Sequence, residues 1–256
     1  MRHQWAFAAL AAAMTAFGIP SAASAAPFLI DDFASQSSSF YIVGTPAPVF
    51  YPNGKPVENG GLPTTLGGER DTLVQVLGTP AIQSAQFLLG VEPDSFPTGV
   101  FHLATAGNPA SVATLQYDGD DADGSELINA ELLDFSMPPG GSFQIDFLSI
   151  DSPGSPDGLK VDILLTSSGG GSATFNDFAP ETSDPVTFSA PIASFLTSTE
   201  FDAAHISSIT FVFNQAGLTD ADFTIDNLRA VPEPSAFALA ALASIAAFAW
   251  RRRVRA

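Results

Sequence analysis

Strict alternation of apolar and polar residues restricts this chain more than any other feature. In Ser142-Phe143-Gln144-Ile145-Asp146-Phe147 every second residue is apolar. The pattern returns in Lys160-Val161-Asp162-Ile163, in Ser208-Ile209-Thr210-Phe211-Val212-Phe213-Asn214 and in Asp222-Phe223-Thr224-Ile225-Asp226. Successive side chains of an extended strand point to opposite faces, so period two in β-branched and aromatic residues predicts strands with one buried face. Turn-forming clusters separate them: Pro138-Pro139-Gly140-Gly141, Ser152-Pro153-Gly154-Ser155-Pro156-Asp157-Gly158 and Gly169-Gly170-Gly171. Further strands are expected at 28–33, 40–51, 71–77, 84–90, 100–105 and 111–117, and a helical turn at 199–204 with Thr199 as its cap. Helical periodicity is weak throughout. About ten short strands over one core predict an all-β protein, an antiparallel β-sandwich of jelly-roll type.

The two ends of the chain have a different composition. At the N-terminus Arg2 precedes an apolar run from Trp5 to Ile19, and Ala23-Ser24-Ala25 fits the small-x-small rule of signal peptidase. A signal peptide over 1–25 is expected, with cleavage between Ala25 and Ala26. At the C-terminus Ser235 to Trp250 is an uncharged run of 16 residues. As a helix it would span about 24 Å, against about 30 Å for the bilayer core. Trp250 suits the interface, and Arg251, Arg252, Arg253 and Arg255 form a basic stop-transfer cluster that belongs in the cytoplasm. The body is then placed on the other side of the inner membrane. Between the ends, 26–230 is long enough for a single domain with a full core.

Directly before the apolar run stands Val231-Pro232-Glu233-Pro234. Two prolines hold such a segment extended and open to a processing enzyme. The order of Pro-Glu-Pro, short apolar segment and basic end, over 231–256, resembles the PEP-CTERM sorting signal of Gram-negative bacteria. The resemblance implies that Pro232, Glu233 and Pro234 are recognised by an exosortase, a membrane-embedded cysteine transpeptidase-like enzyme. It also implies a transmembrane sorting helix, an inner-membrane intermediate, delivery to the cell surface or extracellular matrix, and a context of exopolysaccharide and biofilm.

Composition narrows the function of the body. No cysteine is present, so disulfides cannot brace it. Its cations are Lys55, Arg70, Lys160 and Arg229, against 26 acids, a net charge of −22. Nucleic acid is excluded as a partner, because a basic footprint is missing. An acidic polysaccharide would be repelled unless divalent cations bridged the contact. High solubility in an exported protein accounts equally for the charge.

Ile30-Asp31-Asp32-Phe33, Gly67-Gly68-Glu69-Arg70-Asp71, Leu115-Gln116-Tyr117-Asp118-Gly119 and Phe223-Thr224-Ile225-Asp226-Asn227-Leu228 follow one another along the body. This order looks like a recurrent body found ahead of PEP-CTERM tails, and it is similar to galactose-binding-like jelly rolls, the fold of many carbohydrate-binding modules. The likeness implies a structural calcium where the first and last strands meet, with Asp32 and Asp226 as ligands; strand-edge aspartates bonding nearby turns are the alternative. Sugar-binding modules present exposed tryptophans, but Trp5 and Trp250 both lie outside the body. Tyr41 and Tyr51, on either side of a Gly/Pro turn, are the candidates for stacking on a sugar ring, or else they pack the sheet.

Two further features are read from the residues themselves. Asp118, Asp120, Asp121 and Asp123 crowd one loop together with Glu126. Their spacing fails the EF-hand pattern and leaves either another kind of calcium loop or a solvated acidic turn. Arg70, between two acids in a body so short of cations, is expected in an ion pair. Catalysis has little support: there is no cysteine nucleophile, no G-x-S-x-G elbow, and within the body only His102 and His205 as histidine bases. The expected function is that of a non-catalytic exported surface or matrix protein that requires no cofactor. A calcium-assisted carbohydrate-binding module is the alternative, and a glycoside hydrolase acting through paired carboxylates comes third.

Overall fold

The computed structural model describes residues 26–34, 38–43, 57–59, 61–77, 84–89, 99–106, 110–119, 133–137, 140–196 and 199–232. Thirteen strands run through them: β1 (Phe28–Asp31), β2 (Ser38–Val43), β3 (Val57–Asn59), β4 (Arg70–Leu77), β5 (Ser84–Leu89), β6 (Phe101–Ala106), β7 (Ala110–Tyr117), β8 (Ser142–Asp151), β9 (Leu159–Ser167), β10 (Ser172–Ala179), β11 (Val186–Pro191), β12 (Ile206–Phe213) and β13 (Asp222–Val231). The first sheet has the order β11-β8-β13-β6-β5-β2, with β1 also paired to β13. The second has the order β10-β9-β12-β7-β4-β3. Every pairing is antiparallel. The architecture is the expected antiparallel β-sandwich.

Alternation in the sequence becomes burial in the structure. Phe143, Ile145 and Phe147 of β8 are fully buried, as are Val161, Ile163 and Leu165 of β9 and Ile209, Phe211 and Phe213 of β12. Phenylalanines from both sheets meet at the centre. Phe213 lies 5.2 Å from Phe223 and 6.2 Å from Phe147, measured between ring centroids. These are the offset and edge-on distances that aromatic pairs prefer.

Strand β13 organises the first sheet. It pairs with β8 along its whole length on one side. On the other side its first half pairs with β6 and its second half with β1, where Phe28 faces Ala230 and Asp31 faces Leu228. The last strand of the body therefore sits inside the sheet, and its C-terminal end is zipped to the strand that opens the body.

The helical turn expected at 199–204 does not form. Asp202 instead accepts the Ala204 N–H on its side-chain Oδ1 at 2.9 Å and the His205 N–H on its backbone carbonyl at 3.2 Å. An aspartate that bonds the backbone ahead of it competes with helix formation. Among the described residues no helix is long and apolar enough to cross a membrane. The apolar run at 235–250, the arginine cluster and the first 25 residues lie outside the described residues.

Candidate functional site

Two charged assemblies sit on opposite faces of the start of β4. On the inner face, the Arg70 guanidinium Nη1 donates to Asp31 Oδ2 at 2.6 Å, and both side chains are fully buried. Tyr117 donates its hydroxyl to the same oxygen at 2.9 Å. Asp31 Oδ1 takes the Phe33 N–H at 2.8 Å and the Thr65 hydroxyl at 3.4 Å. The guanidinium lies 5.4 Å from the centroid of the Phe33 ring, within cation–π range. Burial and the neighbouring Asp31 charge push the Tyr117 phenol well above its usual value of 10.0. Arg70 is thus in the ion pair that the sequence suggested, and its partner comes from the Ile30-Asp31-Asp32-Phe33 motif.

On the outer face, Glu69, Asp71 and Asp118 each bring a carboxylate oxygen within 4.8 Å of the others, and all three residues are buried. Local rules assemble them. Glu69 and Asp71 are two residues apart and share a face, as do Gln116 and Asp118. The β4–β7 register sets Asp71 opposite Gln116, and the Gln116 amide donates to Asp118 Oδ2 at 2.8 Å. Gly67, at a φ of +76°, lets the 66–68 turn close in: a Cβ there would stand 3.0 Å from the Gly119 Cα. Two oxygens on one calcium ion, each at about 2.3–2.6 Å, are at most about 5 Å apart. The spread of these three carboxylates fits that limit.

The structure places the sequence candidates as follows. Asp118 joins the outer-face group, whereas Asp120, Asp121 and Asp123 lie outside the described residues. Asp32 is occupied locally, accepting the Ala34 N–H at 3.0 Å and the Thr64 hydroxyl at 2.7 Å. Asp226 is exposed and accepts from the Asn227 amide at 2.9 Å. Neither belongs to the carboxylate group. Tyr41 lies in β2 in register with Gln86, and Tyr51 is outside the described residues. Glu69 and Asp71 were not singled out as ligands from the sequence. Their i, i+2 spacing at a strand start was the available signal, and their meeting with Asp118 depends on strand register.

The outer face of the first sheet carries a polar ladder. Arg229 reaches Gln144 Oε1 at 3.1 Å and Asp146 Oδ2 at 3.0 Å, and Thr187 donates to Asp146 Oδ1 at 2.6 Å. Nearby, His102 Nδ1 and Thr224 Oγ1 are 2.8 Å apart, and burial lowers the pKa of His102. His205 pairs with the exposed Asp134 at 3.3 Å.

At its C-terminal end β13 runs directly into Pro232, and residues 230–253 match the family model of the PEP-CTERM protein-sorting motif. The chain carries a PEP-CTERM sorting signal. The motif implies export and membrane-associated sorting by an exosortase. Glu233 and Pro234, and the segment that follows, are outside the described residues. No curated protein matches the chain. Among solved structures, the chain is similar to the family 11 carbohydrate-binding module of the cellulosomal cellulase Lic26A-Cel5E of Clostridium thermocellum, at 14% identity over 81% of this chain and 95% of that one, with a TM-score of 0.35. It is also similar to a family 29 carbohydrate-binding module, at 15% identity over 76% and 88% of the two chains, with a TM-score of 0.32.

Proposed function

We propose that the protein is a non-catalytic, exported surface or extracellular-matrix component that an exosortase processes at its C-terminal signal. In this reading the signal peptide is removed after Ala25. The 235–250 segment then holds an inner-membrane intermediate, and the matured body associates with exopolysaccharide in a biofilm. The observation that carries the proposal is the sorting motif at 230–253 placed directly at the end of β13. The signal is joined directly to the body, and Pro232-Glu233-Pro234 is the segment the exosortase would read; its two prolines disfavour a helix across it. The test is intact mass spectrometry of the native protein from cells with and without their exosortase. A chain that begins at Ala26 and ends near residues 231–234, and that becomes longer at its C-terminus when exosortase is deleted, is the expected result. A chain that still ends at Ala256 in both strains would overturn the sorting reading.

A second reading, calcium-assisted carbohydrate binding, is favoured by one observation: the three buried carboxylates of Glu69, Asp71 and Asp118 within 4.8 Å of one another. Three carboxylate oxygens at this spacing suit one calcium ion, which favours all-oxygen sites. Bound calcium would also give an acidic body a means of contacting acidic polysaccharide. Equilibrium dialysis of the purified body against calcium is the direct test, and absence of bound metal would dispose of the idea.

A further inference from the structure

The two sheets end side by side, each in a strand with a single neighbour. Among the described strands β10 pairs with β9 alone, and β11 with β8 alone. The Phe175 ring of β10 lies 6.2 Å from the Phe188 ring of β11, so the two edges flank the same side of the sandwich. An edge strand offers N–H and C=O groups to any strand that comes alongside, a second copy of the chain included.

β10 carries one charge in its eight residues, Asp177, and that charge stands on the core-facing side. The register sets Ala173, Phe175, Asp177 and Ala179 opposite Leu165, Ile163, Val161 and Leu159, all four of them fully buried. Residues opposite one another share a face of the sheet. Ala173 and Ala179 are accordingly buried, and Phe175 packs against Phe188 and Phe195. Asp177 has the same facing and is nevertheless exposed, because the sheet ends at its strand. Its Oδ1 accepts the Phe178 N–H at 2.8 Å, which ties the carboxylate to the backbone of the edge.

A strand laid against β10 would close over this carboxylate and take it out of water. The described cations are committed elsewhere. Arg70 and Arg229 pair with Asp31 and Asp146, and Lys160, in register with Phe178, is on the other face of the sheet. A β10 strand from a second copy brings no cation, and a register that sets Asp177 against Asp177 adds repulsion. β11 is guarded by other means. Pro185 precedes it and Pro191 ends it, and neither has an N–H to give to an added strand.

We propose that Asp177 closes the β10 edge to strand addition and so keeps copies of this chain from joining edge to edge. The proposal concerns the body alone and is independent of how the C-terminal signal is processed. Contacts between copies, or with a polymer, are then left to side chains on the sheet faces.

The chain has no cysteine, so a single introduced cysteine can carry a spin label. Asn176→Cys puts the label on the outer face of β10, and Gln75→Cys puts it on β4, four strands away in the same sheet. Pairing of β10 with β10 brings two labels at 176 together and leaves two labels at 75 far apart. The full chain in detergent micelles is compared with Asp177→Val and Asp177→Asn. With Asp177 in place, no dipolar broadening is expected at either position. Asp177→Val should give concentration-dependent broadening at 176 and none at 75, with self-association tightened by about tenfold or more and an unchanged melting temperature. Asp177→Asn keeps an acceptor for the Phe178 N–H but drops the charge. It should move the same way by a smaller factor, and it carries the test by itself if valine lowers the melting temperature. Broadening at 176 with Asp177 in place would mean that the edge is open. Its absence from both folded variants would mean that Asp177 is not what closes the edge, and either result overturns the proposal.

Discussion

The two faces of β4 handle buried charge in opposite ways. Inside the sandwich, Asp31 meets Arg70 and also takes hydrogen bonds from Tyr117, Thr65 and the Phe33 N–H. Outside, one residue further along, Asp71 gathers Glu69 and Asp118. The inner group contains its own counter-charge, and its parts are fixed by the fold. The outer group brings three carboxylates together at a spacing that suits a calcium ion. Adjacent residues of one strand thus separate a structural assembly from one suited to respond to ions. Three measurements test that contrast.

The largest effect is expected at Arg70. Replacing it by methionine keeps most of the volume and leaves the Asp31 carboxylate buried without its cation. Removing one partner of a buried ion pair costs about 3–5 kcal/mol. Urea unfolding of Arg70→Met should therefore show a loss of that order. The exposed Asp134–His205 pair provides the contrast, since Asp134→Asn should change stability by less than about 1 kcal/mol. A loss at Arg70 no larger than at Asp134 would mean that the inner face is not a self-compensated ion pair.

Much of the scaffold for these sites was legible in the sequence, for a physical reason. β8, β9, β12 and β13 bury one face against the opposite sheet, so alternation marks them. β10 was missed because it is an edge strand: it pairs only with β9, and its exposed positions run through Asn176, Asp177 and Phe178 without clean alternation. β11, also at an edge, ends on Pro191, which a central strand would not tolerate. The sorting motif was legible because its parts are contiguous. The carboxylate group was only half legible. Asp118 stood out in its acidic loop, but Glu69 and Asp71 meet it through the register of β4 on β7, which no local pattern encodes. Asp31 and Arg70 likewise lie 39 residues apart, so an ion pair could be expected for Arg70 without its partner being readable.

The next effect in size concerns the outer face. A ligand bound only by the folded state stabilises it by about 2.7 kcal/mol at one hundred times its dissociation constant. Calcium should therefore raise the melting temperature of the purified body, and a chelator should reverse the rise. Asp71→Asn, which removes one charge from the group, should abolish the calcium-dependent rise while leaving the calcium-free melt little changed. A rise that persists in Asp71→Asn would place the ion elsewhere. In Arg70→Met the calcium response should survive, because Arg70 faces away from the group.

The smallest effect sharpens the inner face again, through pH. Burial and the Asp31 charge hold the Tyr117 phenol well above its usual value of 10.0. In the unfolded chain Tyr117 releases its proton near that usual value, whereas the folded chain keeps it. Above about pH 10 the folded state therefore binds more protons, and stability must fall as pH rises. The contribution of Tyr117 is complete below pH 10 and is lost progressively up to its folded pKa. The slope is at most about 1.4 kcal/mol for each pH unit. The informative quantity is the difference between wild type and Tyr117→Phe. That difference should shrink by about 1 kcal/mol between pH 9.5 and 11 as the wild type loses its alkaline margin. A difference that stays constant across this range would mean that Tyr117 is not held protonated beside Asp31, and the inner assembly would then reduce to the Asp31–Arg70 pair.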